Sequence, residues 1–254
     1  MKVQELYRFL NDRIPSSLSC EWDNDGLMCC PDPEAEVKRV LIALDITAAV
    51  VEEAIAGEYD LIVSHHPLIF SPLRALDPAD HVAKKVITLL RAGISAMSFH
   101  TRLDAVEGGV NDTLAARLGL CDVEVFGDHG EAIGRVGTLE EPLSLAAFAA
   151  RVKEATGADC VQYVGSNEVH RVAVLGGSGS DDVKAAKSAG ADTYVSGELK
   201  HNYLTDAPDL GINLVAAGHF HTENPVCERI RELLLAVDSA LEIRLTDSNP
   251  VKCI

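Results

Sequence analysis

The clearest fold signal is a strand–helix–strand pattern at residues 39–67, which read RVLIALDITAAVVEEAIAGEYDLIVSHHP. Arg39 to Leu44 is an apolar, β-branched run, which predicts a buried strand. Thr47 predicts the start of a helix running to about Ala56, because its hydroxyl can accept a hydrogen bond from the first turn. Asp60 to Val63 is the next predicted strand. The segment therefore predicts a βαβ unit.

The alternation extends to both sides of this unit. Before it, Lys2 to Arg13 has apolar residues at helical spacing, and residues 22–27 read as a turn leading into a short strand. After it, further strands are predicted at 94–99, 135–139, 159–164, 171–175, 193–196 and 213–217. Helices are predicted at 81–92, 109–118, 144–155, from the 176–180 turn to near 190, at 200–205 and at 223–237. This alternation predicts an α/β fold with mixed, largely parallel sheets.

Length and composition allow one large domain or two lobes. The chain has 254 residues, of which 47% are hydrophobic, so it can bury a sizeable core. The segment 121–134 is polar and contains glycine, which favours a lobe boundary there. We therefore expect a first α/β lobe at 1–125 and a second at 126–254, which are not independent domains.

Charge and cysteine content exclude several classes of partner. The chain carries 22 basic and 39 acidic residues, a net charge of −17, which repels nucleic-acid backbones and anionic membranes. Its seven cysteines form no C-x-x-C pair, so reduced thiols in the cytoplasm are the simplest interpretation. Because no apolar run approaches ~18 residues, no membrane anchor is expected.

Two histidines stand where the strand at 60–63 ends. His65 and His66 could converge on one site only if the strand has already ended, since neighbours in a strand point to opposite faces. Pro67 favours such an ending. Ligands in α/β sheets collect at the carboxyl ends of strands. The alternative is a surface histidine pair without a role.

Two more clusters follow predicted strands. His100 and Asp104 come after the strand at 94–99, where Asp104 could instead cap a turn. His219 and Glu223 come after the strand at 213–217, and Thr222 could cap a helix in whose first turn Glu223 is merely a favourable charge. Their spacing of four permits one metal ion to contact both.

Together the clusters predict a divalent metal site. The candidate ligands are His65, His66, Asp104, His219 and Glu223. This mixed nitrogen and oxygen set suits Zn²⁺, Mn²⁺, Fe²⁺, Co²⁺ or Ni²⁺. A bridging carboxylate could serve two ions about 3.5–4 Å apart, as in binuclear hydrolytic sites. Five ligands for two ions would leave positions open to water, which is typical of catalytic sites.

Two other segments allow more than one interpretation. The turn Gly176–Ser180 could cradle a phosphate, but it lacks a complete nucleotide-binding motif, and a tight structural turn is favoured. Glu198 and His201 could support the metal ligands or hold substrate, or they could belong to a polar loop.

Seven motifs span nearly the whole chain. They are Trp22-Asp23-Asn24-Asp25-Gly26-Leu27, Ser64-His65-His66-Pro67, His100-Thr101-Arg102-Leu103-Asp104-Ala105, Gly108-Gly109-Val110-Asn111-Asp112, Gly176-Gly177-Ser178-Gly179, Ser196-Gly197-Glu198-Leu199-Lys200-His201, and Gly218-His219 with Thr222-Glu223. In this order they resemble the Nif-three-like dinuclear-metal-centre family, also named GTP cyclohydrolase 1 type 2 homologues. Arg102 stands where members often carry Asn.

The resemblance implies a fold, an assembly and an activity. Its metal ligands fall on the five residues named above, and His100 corresponds to a histidine near the metals. It implies two similar α/β lobes, a toroidal homohexamer, and a metal site to which both lobes contribute. We expect a metal-dependent hydrolase of a nucleotide or related small molecule, with two divalent ions per chain and with His100 or His201 as proton shuttles. The alternatives are a metal-dependent phosphoesterase and a non-catalytic metal-binding scaffold whose ring binds a partner.

Overall fold

The computed structural model describes residues 1–128, 131–247 and 249–251. They divide into two compact units, the first comprising 1–106 with 226–251 and the second comprising 107–225. Within the described ranges, no helix combines the length and apolar character needed to cross a membrane.

Helices and strands alternate along most of the chain. The helices are α1 (Val3–Arg13), α2 (Ala48–Ala56), α3 (His81–Ala92), α4 (Thr101–Ala105), α5 (Val110–Leu118), α6 (Leu145–Thr156), α7 (Val183–Ser188), α8 (His201–Leu210), α9 (His219–Glu223) and α10 (Val226–Val237). The strands are β1 (Gly26–Cys29), β2 (Arg39–Ala43), β3 (Leu61–Ser64), β4 (Ser95–Ser98), β5 (Cys121–Asp128), β6 (Glu131–Leu143), β7 (Gln162–Val164), β8 (Val169–Ser178), β9 (Thr193–Glu198), β10 (Asn213–Ala216) and β11 (Glu242–Leu245).

The first unit contains a five-stranded sheet in the order β1-β4-β3-β2-β11. Only β1 pairs antiparallel, so this sheet is largely parallel, as predicted. Its central strands are buried, and α2 and α3 pack on them through an apolar cluster that includes Leu41, Val50 and Leu89. Thr47 caps α2 as predicted, because its side chain accepts from the backbone N–H of Val50. Gly93 ends α3 in the left-handed conformation.

The second unit contains a six-stranded sheet in the order β5-β6-β8-β9-β10-β7. Only the β8–β9 and β9–β10 pairings are parallel. The prediction of a largely parallel sheet is therefore wrong for this unit. The reason is that residues 121–134, which looked like a polar connection, supply β5 and the start of β6 as an antiparallel pair, apart from residues 129–130, which lie outside the described ranges.

The two units repeat one topology. In each, an antiparallel edge strand is followed by three parallel strands joined by helices, giving the orders β1-β4-β3-β2 and β7-β10-β9-β8. A five-residue helix follows the last parallel strand in both, α4 after β4 and α9 after β10. Polar residues after β3 and β4 thus correspond to polar residues after β9 and β10.

The C-terminal part departs from the sequence-based predictions. The single helix predicted at 223–237 is instead two helices, α9 and α10, because Pro225 interrupts the backbone hydrogen bonding between them. The end of the chain was not predicted as a strand, yet β11 pairs parallel with β2. For this reason the first unit includes 226–251, whereas the sequence suggested lobes at 1–125 and 126–254.

Candidate metal centre

In the first unit, the two neighbouring histidines lie just beyond the end of β3. The strand ends at Ser64, and its hydroxyl donates to the carbonyl of His66 at 2.8 Å, which turns the chain. The rings of His65 and His66 therefore lie on one side, with centroids 4.9 Å apart. The expectation that the strand ends before the histidines is confirmed.

Three histidines of this unit share one hydrogen-bonding pattern. Each donates from Nδ1 to an oxygen that can only accept. The acceptors are the Phe99 carbonyl for His65 (2.9 Å), the Asp45 carboxylate for His66 (2.7 Å) and the Asp23 carboxylate for His100 (2.8 Å). In the neutral ring, Nε2 then carries the lone pair. Metal-bound histidines in proteins are commonly oriented by such an acceptor on the other nitrogen.

The three rings lie close enough to share a cation. One ring nitrogen each of His65, His66 and His100 lies within 4.8 Å of the other two. The sequence predicted His100 as a histidine near the metals and a candidate proton shuttle, and its ring lies in this cluster. Asp45 and Asp23 were missed, although Asp45 follows β2 at the same carboxyl edge of the sheet and had the same signal as the other clusters.

Asp104 lies on α4 and faces the first histidine. Asp104 is 9% exposed, and its Oδ1 lies 3.6 Å from Nε2 of His65. A carboxylate oxygen opposite an imidazole lone pair is unfavourable unless a proton or a cation lies between them. The residues therefore fit a divalent ion.

Asp23 keeps its charge although its side chain is buried. Burial alone raises the pKa of this carboxyl, but hydrogen bonds from His100 and Thr101 outweigh burial and hold the pKa well below its usual range. The hydroxyl of Thr101 donates at 2.6 Å and its backbone N–H at 3.0 Å. Asp23 is thus a fixed anionic acceptor for the His100 ring.

In the second unit, a histidine and a carboxylate share one face of α9. His219 and Glu223 are four residues apart, and Nε2 of His219 lies 3.0 Å from Oε2 of Glu223. Glu223 is 4% exposed. The prediction that Thr222 caps a helix starting at Glu223 is wrong, because Gly218, at φ +85°, precedes the helix and Glu223 is its last residue. The hydroxyl of Thr222 instead donates to the carbonyl of His219 at 2.9 Å.

Glu198 and His201 have different surroundings. Glu198 ends β9 and brings Oε2 to 3.2 Å from Nδ1 of His219, so it can orient that ring as Asp45 orients His66. His201 is exposed at the start of α8. Its catalytic role stays a prediction.

The glycine-rich end of β8 lies against the carboxylate of Glu223. Gly177 has φ +67°, and a Cβ there would overlap Oε1 of Glu223 and lie 3.1 Å from Nε2 of His219. Its backbone N–H donates to the Thr222 hydroxyl at 3.1 Å. The absence of a side chain therefore allows β8 to approach the His219–Glu223 pair, which favours the structural interpretation of this turn over a phosphate cradle.

Gly177→Ala is expected to weaken metal binding about 10- to 100-fold, the usual cost of disturbing a residue that supports a metal ligand. The new methyl group would force the Glu223 carboxylate away from His219. Titration with Mn²⁺ or Zn²⁺ measures the affinity. The matched control is Gly157→Ala, where φ is +69° but nothing lies within 4 Å of the new Cβ. That variant should lose ~1 kcal/mol of stability and no metal affinity, and equal metal affinities in the two variants would contradict the expectation.

Known proteins are similar to this chain in sequence and in fold. A model of the Duf34/NIF3 (NGG1p interacting factor 3) family matches residues 1–250. The chain belongs to the DUF34/NIF3 family. A relative from Clostridium acetobutylicum, named GTP cyclohydrolase 1 type 2 homolog, is 34% identical to this chain, and the match covers 89% of this chain and 86% of the relative. One of the same name from Nostoc is 35% identical, covering 94% and 93%. The Staphylococcus aureus protein SA1388 has a similar structure, with a TM-score of 0.90, 28% identity, and coverage of 100% and 99%.

Arg102, which stands where the resemblance implies Asn, has a buried side chain. The side chain does not lie among the histidines. It is 1% exposed and donates to Asp25 (2.9 Å), to the Asn11 side chain (2.7 Å) and to the carbonyl of Ile14 (3.1 Å). Arg102 therefore anchors α4 to the N-terminal part of the first unit.

Proposed function

We propose that this NIF3-family protein binds two divalent metal ions and is a metal-dependent hydrolase of a nucleotide or related small molecule. The proposed ligands are His65, His66, Asp104, His219 and Glu223. The observation that carries the proposal is the shared orientation of the histidines, each held at Nδ1 by an acceptor, together with a buried carboxylate beside an Nε2 atom in each unit.

The donor set favours catalysis over a purely structural role. Five ligands for two ions leave coordination positions for water or substrate. When bound, such ions lower the pKa of a water molecule and polarise the substrate. His100 is held at Nδ1 by the ionised Asp23, which leaves Nε2 to accept a proton from a reacting group. Asp23 stabilises the imidazolium that results.

The relatives' names suggest the class of substrate. The relatives from Clostridium acetobutylicum and Nostoc carry the name GTP cyclohydrolase 1 type 2 homolog, which suggests a guanine nucleotide. The net charge of −17 disfavours a nucleic-acid polymer and leaves a small nucleotide as the natural choice. The homohexameric ring implied by the resemblance stays a prediction.

Elemental analysis of untagged protein is expected to find about two metal ions per chain, because a binuclear site requires them. Apoprotein dialysed against Mn²⁺, Zn²⁺ or Fe²⁺ should recover the same content. A protein that carries no metal and takes none up would contradict the metal site itself.

The metallated protein is then tested for turnover of nucleotides and phosphoesters. Ring opening or deamination of a nucleotide supports the cyclohydrolase-like activity, whereas release of phosphate alone supports the phosphoesterase alternative. If protein with its full metal content turns over none of a broad set, the non-catalytic scaffold is the better description.

A further inference from the structure

Two exposed aromatic side chains stand beside His100 in the first unit. Trp22 is 56% exposed and Phe70 is 52% exposed. Their ring centroids lie 6.2 Å apart. The His100 ring centroid lies 6.1 Å from that of Trp22 and 6.2 Å from that of Phe70, and all three pairs are edge-to-face. The candidate metal ligands His65 and His66 lie next to the same ring. The aromatic pair therefore borders the proposed centre.

The loops that carry the pair are tied to the site and to each other. Asp23, directly after Trp22, accepts from the ring of His100 and from Thr101. The Asn24 side chain donates to the carbonyl of Ile69, which precedes Phe70. The contacts of Asp23 and Asn24 therefore hold in place the two loops that carry the rings. Such preorganisation lowers the entropic cost of binding a ligand.

Exposing these apolar rings to water is unfavourable in free energy, and a ligand ring that covers them would relieve this cost. Aromatic residues make up 5% of the chain, which has a single tryptophan. Among the large apolar side chains that the described residues expose, the aromatic ones are Trp22, Phe70 and Tyr163, and two of these three are here. Large aromatic rings contribute strongly to binding when a partner covers them.

We propose that Trp22 and Phe70 bind the planar base of a nucleotide, placing it beside His100. This inference rests on the proposed function and names the part of the substrate that the aromatic pair recognises. The two ring planes make an angle of 62°, so a base can stack on one ring and contact the other by its edge. Stacking on aromatic side chains is a common mode of base recognition and tolerates different bases.

The single tryptophan makes the test direct, because all tryptophan fluorescence of the chain comes from Trp22. Guanosine 5′-monophosphate and guanosine are titrated into metal-loaded protein, with ribose 5-phosphate as the ligand without a base. The two base-containing ligands are expected to quench the emission saturably, and ribose 5-phosphate should leave it unchanged. Quenching by ribose 5-phosphate alone, or by no ligand, would overturn the proposal.

A pair of variants separates base binding from the metal site. Phe70→Leu should weaken the binding of guanosine 5′-monophosphate about tenfold, within the range for loss of one stacking partner, with unchanged metal content. Tyr163→Leu removes an equally exposed aromatic ring from the second unit and should change nothing. If Phe70→Leu leaves the affinity intact but alters the molecular mass in solution, the pair is an interface between copies and the proposal is wrong. Absent metal in the wild type would instead contradict the proposed function.

Discussion

Asp104→Asn is expected to lower the affinity for divalent metal by at least ~100-fold and to abolish metal-dependent turnover. Changes to residues that merely support a ligand cost 10- to 100-fold in affinity, and Asp104 is proposed to be a ligand itself. The substitution keeps the shape of the side chain while removing the charge that faces Nε2 of His65 at 3.6 Å. Asparagine can donate to that nitrogen, so the metal-free variant should fold at least as well as the wild type.

Thermal unfolding with and without metal provides the measurement. Metal at ~100 times its dissociation constant stabilises a folded protein by about 2.7 kcal/mol, so the wild type should melt at a clearly higher temperature when Mn²⁺ is added. The variant should show little or no such increase. Asp12→Asn, the same change at an exposed position on α1, should keep the full increase. A full metal-dependent increase in the Asp104 variant would remove this residue from the ligand set.

The second unit offers a matched histidine pair for the same experiment. His219→Gln should lose metal affinity as Asp104→Asn does, because Nε2 of His219 lies beside Glu223. His221→Gln changes the histidine two positions further along α9, which is not in the proposed ligand set, and should keep the metal affinity. Similar losses in both variants would indicate that disturbance of α9, rather than loss of a ligand, causes the effect.

Periodicity and strand ends predicted most of the first unit. Arg39–Ala43 and Leu61–Ser64 are buried on both faces of a parallel sheet, so their sequences are continuous apolar runs that stand out from their surroundings. Because the two strands are parallel, the polar residues that follow them lie at the same edge of the sheet, at the strands' carboxyl ends. For this reason the positions of His65 and His66 could be inferred without coordinates.

The misplaced elements depend on contacts that are distant in the chain. β5 and β11 are recognisable only from the strands they pair with, β6 and β2, and the polar composition around β5 suggested a lobe boundary instead. The supports of the histidines are equally non-local, since Asp23 lies 77 residues from His100. The start of α9 depends on one glycine: Gly218 adopts φ +85°, so the helix begins before the strong capping signal at Thr222.

Arg102→Met is expected to destabilise the first unit by about 3–5 kcal/mol, the usual cost of removing one partner of a buried ion pair. Arg102 is 1% exposed and the Asp25 side chain 4% exposed, with Nε and Oδ2 2.9 Å apart. Asp25 also accepts from the backbone N–H of His100 at 3.0 Å, so the variant leaves a buried carboxylate next to the site without its cation. Chemical denaturation measures the loss, which is a large part of a typical stability of ~5–15 kcal/mol.

Two further variants show whether the buried pair, rather than the arginine alone, is responsible. Arg229→Met makes the same change in an exposed pair with Glu232 and should alter the stability by less than ~0.5 kcal/mol. Adding Asp25→Asn to Arg102→Met removes the uncompensated charge, so the double variant should be more stable than the sum of the two single losses implies. Strictly additive losses would mean that Arg102 stabilises the unit through its contacts with Asn11 and Ile14. Asp25 would then contribute to the site independently of Arg102.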